Sequence, residues 1–226
     1  MTLAHELSHP YSLAFAQYAT AMVSQFLRDV PAVHAHAVAT VALSTEQGFT
    51  QYEALATSLR GWALAMQGQD EAGLTQVRQG ITAWRATGAV LFVPYYGTVL
   101  AEVSAHLGHT EDGLQALAEA HTLVQQQEER WWEAEIFRLR GVLLLQQTGT
   151  PQAEAEIWLR RALDVARRQE AKSLELRAAM SLACLWQQQG KCQEAHDLLA
   201  PIYGWFTEGF DTADIQEAKT LLEELM

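Results

Sequence analysis

The chain has 226 residues, 49% of them hydrophobic, a formal charge of −12 and a sequence pI near 5.0. That is enough apolar material for a substantial core, and the acidic surface argues against unaided binding to nucleic acid or an anionic membrane. Two cysteines are too few for a disulfide framework and fit a reducing cytosol, and neither a signal peptide nor 18 consecutive apolar residues can be found, so a soluble, cytoplasmic protein is expected.

In chain order, residues 1–10 read as the end of a preceding repeat, with Pro10 placed to start a new helix. Apolar periodicity and turn residues then predict five helix pairs: 11–27 with 33–47, 50–66 with 71–87, 91–106 with 111–127, 132–147 with 153–169, and 173–188 with 193–203. A last helix is expected from Asp211, an N-cap residue with Asp214 in the first turn. Its Ile215, Leu222 and Leu225 share one face, so 211–226 would cap the array.

Four glycines punctuate this pattern. Gly68, Gly108, Gly149 and Gly190 are spaced by 40, 41 and 41 residues, each where a helix C-cap belongs. After each comes a small residue (Gly73, Gly113, Ala155, Ala195), and four places further an aliphatic one (Val77, Leu117, Leu159, Leu199). Three places beyond stand Gly80, Ala120 and Ala162, with Ile202 a miss. Twelve before the small residue lie Gly61, Ala101 and Ala183; the fourth unit has Leu143 there, with Gly141 two places earlier. Small residues let two helices approach closely while the aliphatic residue fills the space between hairpins. The reading is all-α: an α-solenoid of antiparallel helix hairpins, about five units plus a capping helix, forming a single repeat domain over 1–226.

The small–large spacing resembles the tetratricopeptide pattern, although its period exceeds the roughly 34 residues of that repeat. HEAT and armadillo repeats, with longer periods, are the alternative. Four stretches carry a narrower resemblance: LSHPYSLAFA (7–16), RGWALAMQGQ (60–69), ERWWEAEIFRLRGVLLL (129–145) and YGWFTEGFDTADIQEAKTLLEEL (203–225). They resemble the C-terminal repeat region of bacterial signalling proteins in which a class III adenylate/guanylate cyclase domain precedes a STAND-type ATPase module. The arrays of maltose-regulator-like transcription activators are similar. The resemblance implies a sensor or autoinhibitory arm on an ATPase switch. The chain has no GxxxxGK[ST] loop, cyclase domain or helix-turn-helix, so it reads as a fragment or short reading frame without nucleotide chemistry.

One motif points to an enzyme. His5-Glu6-Leu7-Ser8-His9 spells HExxH, which on a continuing helix would bind zinc and supply a general base. Pro10 follows immediately and pushes His9 out of the helical region, and the third histidine of the extended motif is replaced by Phe15. A zinc metallopeptidase is therefore the rival reading, not the leading one. His34 and His36 are two apart and point to different sides. Cys184 and Cys192 are expected as free buried thiols. Of seven tryptophans, Trp84, Trp158 and Trp186 fall on packing stripes, and only one of Trp131 and Trp132 can be well buried.

No catalytic, cofactor or metal residues are assigned. From Arg138 to Arg177, eight Lys or Arg stand against five Asp or Glu. Glu156 before Arg160 and Asp164 before Arg168 favour a solvated, ion-paired face. A nucleic-acid-binding array is the alternative. Tetratricopeptide groove positions map onto Ser58, Trp62, Tyr95, Thr98, Glu102, Glu135, Arg138 and Arg177. That mixture suits a protein or peptide partner, or another domain of a larger signalling protein. Residues 1–8 are too short to cover Leu13, Phe15, Met22, Phe26 and Leu27, so fraying or self-association is expected at the N-terminal end.

Overall fold

A computed structural model describes residues 9–147 and 149–226. Among these are eleven helices and no strand. They are α1 (Pro10–Phe26), α2 (Val30–Gln47), α3 (Thr50–Met66), α4 (Asp70–Ala86), α5 (Val93–His106), α6 (Thr110–Gln127), α7 (Glu133–Gln146), α8 (Gln152–Arg168), α9 (Lys172–Gln188), α10 (Cys192–Tyr203) and α11 (Ala213–Glu224). The helices group into two compact units, one ending at His109 and the other spanning Thr110–Met226. No helix among the described residues is long and apolar enough to cross a membrane.

The first nine helices end for the same local reason. A residue in the left-handed region follows the last turn at Arg28, Gly48, Gly68, Gly88, Gly108, Glu128, Gly149, Glu170 and Gly190, a stop every 20 or 21 residues. At six of these the chain closes on itself. Asp29, Phe49, Gln69, His109, Ala171 and Lys191 each donate their N–H to the carbonyl five residues back, at 2.8–3.0 Å. This bond satisfies a carbonyl that the helix end leaves bare and reverses the chain within a few residues. The four-glycine pattern marks four of these nine stops; Gly48 and Gly88 lie outside it, and Arg28, Glu128 and Glu170 hold left-handed positions without being glycine.

Packing follows from the small residues. A methyl group on Gly61 would come within 2.6 Å of the Gly73 carbonyl and the Val77 amide, and one on Gly80 within 2.6 Å of Ala54 O and Ser58 N. α3 and α4 thus lie backbone to backbone, closer than side chains permit. In the α7–α8 pair, Gly141 plays this part: a Cβ there would meet Leu159 Cγ at 2.7 Å and Ala155 O at 3.1 Å. Gly141, not Leu143, is therefore the counterpart of Gly61. The longer connection between α7 and α8 shifts the count by two.

Within the first unit α3 also touches α1 and α5, and within the second α9 touches α7 and α11. Alternate helices therefore form one layer of each unit. Two expectations need correcting. The last helix is capped by Thr212 rather than Asp211, because Thr212 closes a turn by donating N–H and Oγ1–H to the Gly209 carbonyl at 2.9 and 2.7 Å. Cys184 is exposed, not buried, since Leu182, Ala183 and Leu185 take the packed faces of α9.

Candidate functional site

The proposed groove residues lie on α3, α5, α7 and α9, in the alternate-helix layers, and the structure gathers them into two separate polar clusters. In the first unit the cluster runs across three helices. The Tyr95 hydroxyl of α5 donates to Gln25 Oε1 of α1 at 2.9 Å. Gln25 Nε2 donates to Glu102 Oε2 at 3.3 Å, and Trp62 Nε1 of α3 donates to the same oxygen at 2.9 Å. Trp62, Tyr95 and Gln25 are buried, so a lone carboxylate here would be costly; two donors sharing one oxygen offset that cost. Phe26 meets the Tyr95 ring edge to face at 5.5 Å.

Ser58 and Thr98 do not join this cluster. Thr98 Oγ1 donates to the Tyr95 carbonyl at 2.7 Å, and Ser58 Oγ reaches the Ala54 and Val77 carbonyls at 3.5 Å. Both small hydroxyls serve helix packing. A second buried pair lies nearby: the Tyr96 hydroxyl donates to Leu55 O at 3.2 Å and lies 3.3 Å from that of Tyr18. Burial pushes the Tyr18 phenol up to about 12 and Tyr96 well above its ordinary value, so both stay protonated as donors.

The second cluster repeats this plan with charge. Arg138 grips Glu135 in a forked pair, Nη2 to Oε1 at 2.6 Å and Nε to Oε2 at 2.8 Å. Arg177 of α9 lies 3.6 Å from Glu135 and donates Nε–H to Asp214 Oδ2 of α11 at 2.6 Å. Arg138 also reaches Ser181 Oγ at 3.3 Å. Two acids and two bases balance, the condition under which charges survive burial. Gln25, Ser181 and Asp214 complete these clusters and were missed in the sequence. Asp214 is visible there only as a first-turn acid, and Gln25 carries no signal beyond its place on a first helix.

Chemically, both clusters are saturated. Each acid is held by donors and each base by acceptors, which positions helices and offers no nucleophile or general base. Glu102 and Arg138 are the half-buried members; the other six candidates are buried. Of the HExxH motif, His5 and Glu6 lie outside the described residues, as does the predicted helix end over residues 1–8. His9 has extended backbone angles and caps α1, its Nδ1 accepting the Ser12 N–H at 3.3 Å. Among the described residues no group of three His, Cys, Asp or Glu is placed to hold a metal ion.

The basic stretch is mostly compensated. Arg160 pairs with Glu156 at 2.8 Å, and Arg167 and Lys172 converge on Glu175 at 3.0 and 2.7 Å. Trp186 adds an N–H to Glu156 at 3.1 Å. Burial pushes the pKa of both carboxyls up, but donors from Trp186 and Arg160 to Glu156, and from Lys172 and Arg167 to Glu175, outweigh it and leave each below the usual carboxylate range. Trp132 is buried and Trp131 exposed, as adjacency required.

No protein-family model matches this chain, and no curated protein does either. Solved structures do. A crystal structure of Podosopora anserina kinesin light chain nearly identical TPR-like repeats is similar with a TM-score of 0.58 and 15% identity, covering 96% of this chain and 97% of that one. Its Q17M variant is similar with a TM-score of 0.59 and 16% identity, covering 87% and 95%. At this identity the likeness concerns the fold alone. The chain has a tetratricopeptide-like helical repeat fold of the α-solenoid class.

Proposed function

We propose that the chain is a non-catalytic protein-interaction module, serving as the sensor or scaffold arm of a signalling ATPase or cyclase. The observation that carries this reading is the alternate-helix layer of each unit, where Glu102 in the first and Arg138 in the second sit half-buried at the margin of a polar cluster. A partner can add contacts there while buried Trp62, Tyr95, Glu135 and Arg177 keep the surface rigid, which lowers the ordering cost of binding. Ser58 and Thr98 contribute by letting the helices approach. The tetratricopeptide-like fold commonly mediates protein–protein interaction, and the four sequence stretches point to the ATPase–cyclase setting. Self-association through α1, whose Tyr11, Phe15 and Val23 are exposed together with Leu27 just after it, is a further proposal.

The test is to titrate the purified chain onto a purified ATPase–cyclase protein of the resembled class, reading complex formation by sedimentation and ATP turnover together. A saturable complex with altered turnover, weakened by Glu102→Gln with Arg138→Gln, is expected. Absence of any complex would remove the signalling setting. ATP or peptide hydrolysis by the chain alone, or one tightly bound zinc lost on His9→Ala, would remove the non-catalytic reading.

A further inference from the structure

Two arginines of the second unit that no ion pair among the described residues engages are stacked on aromatic rings. The Arg140 guanidinium of α7 stacks 4.0 Å from the ring centre of Trp158 on α8. Arg161, one turn along α8, lies 4.3 Å from the Phe137 ring centre and 5.4 Å from that of Trp158. The two rings are themselves 5.5 Å apart, and His121 of α6 packs against Phe137 at 5.0 Å. Among the described residues no carboxylate lies within 4.0 Å of either guanidinium, and Arg140 Nε is buried without a hydrogen-bond partner.

A guanidinium stacked on an aromatic face is weakly hydrated and held in one plane, so its N–H edge is pre-organised for an oxyanion. The nearby carboxylate, Glu133, is engaged by Arg130 at 3.5 Å and lies 3.9 Å from His121. The local field is positive: burial first and then Arg161 hold the His121 imidazole below its usual range, against the opposing pull of Glu133. On a molecule of net charge −12 this is an isolated basic spot, a few residues wide.

We infer that Arg140 and Arg161, floored by Trp158 and Phe137, form a recognition site for a short acidic segment of a protein partner. Each guanidinium edge takes one carboxylate, a contact favoured by forked geometry. A polynucleotide fits less well, because binding it needs a run of phosphate contacts and the neighbouring bases at Arg160, Arg167 and Lys172 are already engaged by Glu156 and Glu175. The inference rests on the reading of the chain as a protein-interaction module, at residues separate from Glu102 and Arg138.

The test uses the full chain and a fluorescein-labelled hexaglutamate peptide, followed by anisotropy at low salt. Saturable binding is expected, weakened at least about fivefold by Arg161→Gln or Arg140→Gln. Lys219→Gln, the same charge change at an exposed site on α11, should leave it unaltered. Competition by inorganic phosphate would support the oxyanion chemistry. Arg161 is exposed and its replacement spares the fold, so that variant decides if Arg140→Gln proves unstable. No saturable binding, equal weakening by Lys219→Gln, or tighter binding of an oligothymidylate through the same arginines would each overturn the proposal. Failure here leaves the ATPase–cyclase titration unaffected, so the two readings fall separately.

Discussion

Glu128 and Glu170 hold φ of +58° and +55°, backbone angles that disfavour any residue with a Cβ. Replacing either by glycine removes that strain but adds freedom to the unfolded chain, so a net gain of about 0.5 kcal/mol is expected from urea unfolding. Gly108→Ala, at φ +76° with open space around it, should do the reverse and cost about 1 kcal/mol. Gly80→Ala is a different case. The added methyl meets the backbone of α3, which cannot yield as a side chain can, so a loss of about 2–3 kcal/mol is expected in the same assay. These positions also mark how far the sequence could be read. Glycine at four stops and small residues at fixed offsets were visible because each is a distinctive residue doing a backbone's work. Arg28, Glu128 and Glu170 do the same work with ordinary side chains, so at those three stops apolar periodicity alone marked the helix end and no glycine did. Phe92, at φ +63°, likewise starts α5 two residues later than periodicity suggests.

Between helices, the polar clusters are what hold alternate elements together, and their worth can be measured. Trp62→Phe keeps the packing but removes one donor from Glu102, and a loss of about 1–2 kcal/mol is expected. Asp214→Ala detaches α11 from Arg177, a side chain 9% exposed. The expected loss is about 2–3 kcal/mol, below the penalty for a fully orphaned buried charge because Glu135 remains 3.6 Å away. Both are read by denaturant midpoint. Acid should act on the outer pairs in a defined direction. Glu175 and Glu156 have pKa values lowered on folding, so their contribution is fully present above the ordinary carboxylate value. It is lost as pH falls through the lowered folded value. Glu175→Gln should therefore flatten the acid limb of stability against pH; an unchanged limb would contradict the assignment. That the eight candidate residues fall on α3, α5, α7 and α9 was legible from repeat register alone. Their bonding partners were not, because hydrogen bonds between α1 and α5, or α9 and α11, join residues 70 and 37 apart that share no local pattern.

At the scale of the whole chain, each unit is a series of helices cut at fixed intervals and knitted together by its alternate helices. Apolar periodicity and helix-terminus chemistry specify that series almost completely, with α3 running from Thr50 to Met66 as expected. α1 is the weak point, because Phe15 and Val23 are at least half exposed. The most direct test is residue-resolved amide hydrogen exchange on the intact chain. The account predicts protected runs coincident with α2–α11 and breaks at the left-handed stops, every 20 or 21 residues. It also predicts low protection before about residue 30, and high protection across the third and fourth hairpins. Alternating single-residue protection, as a strand would give, or breaks falling elsewhere than these stops, would contradict the repeat. Uniform protection from α1 onward in a monomer would contradict the weak N-terminal face.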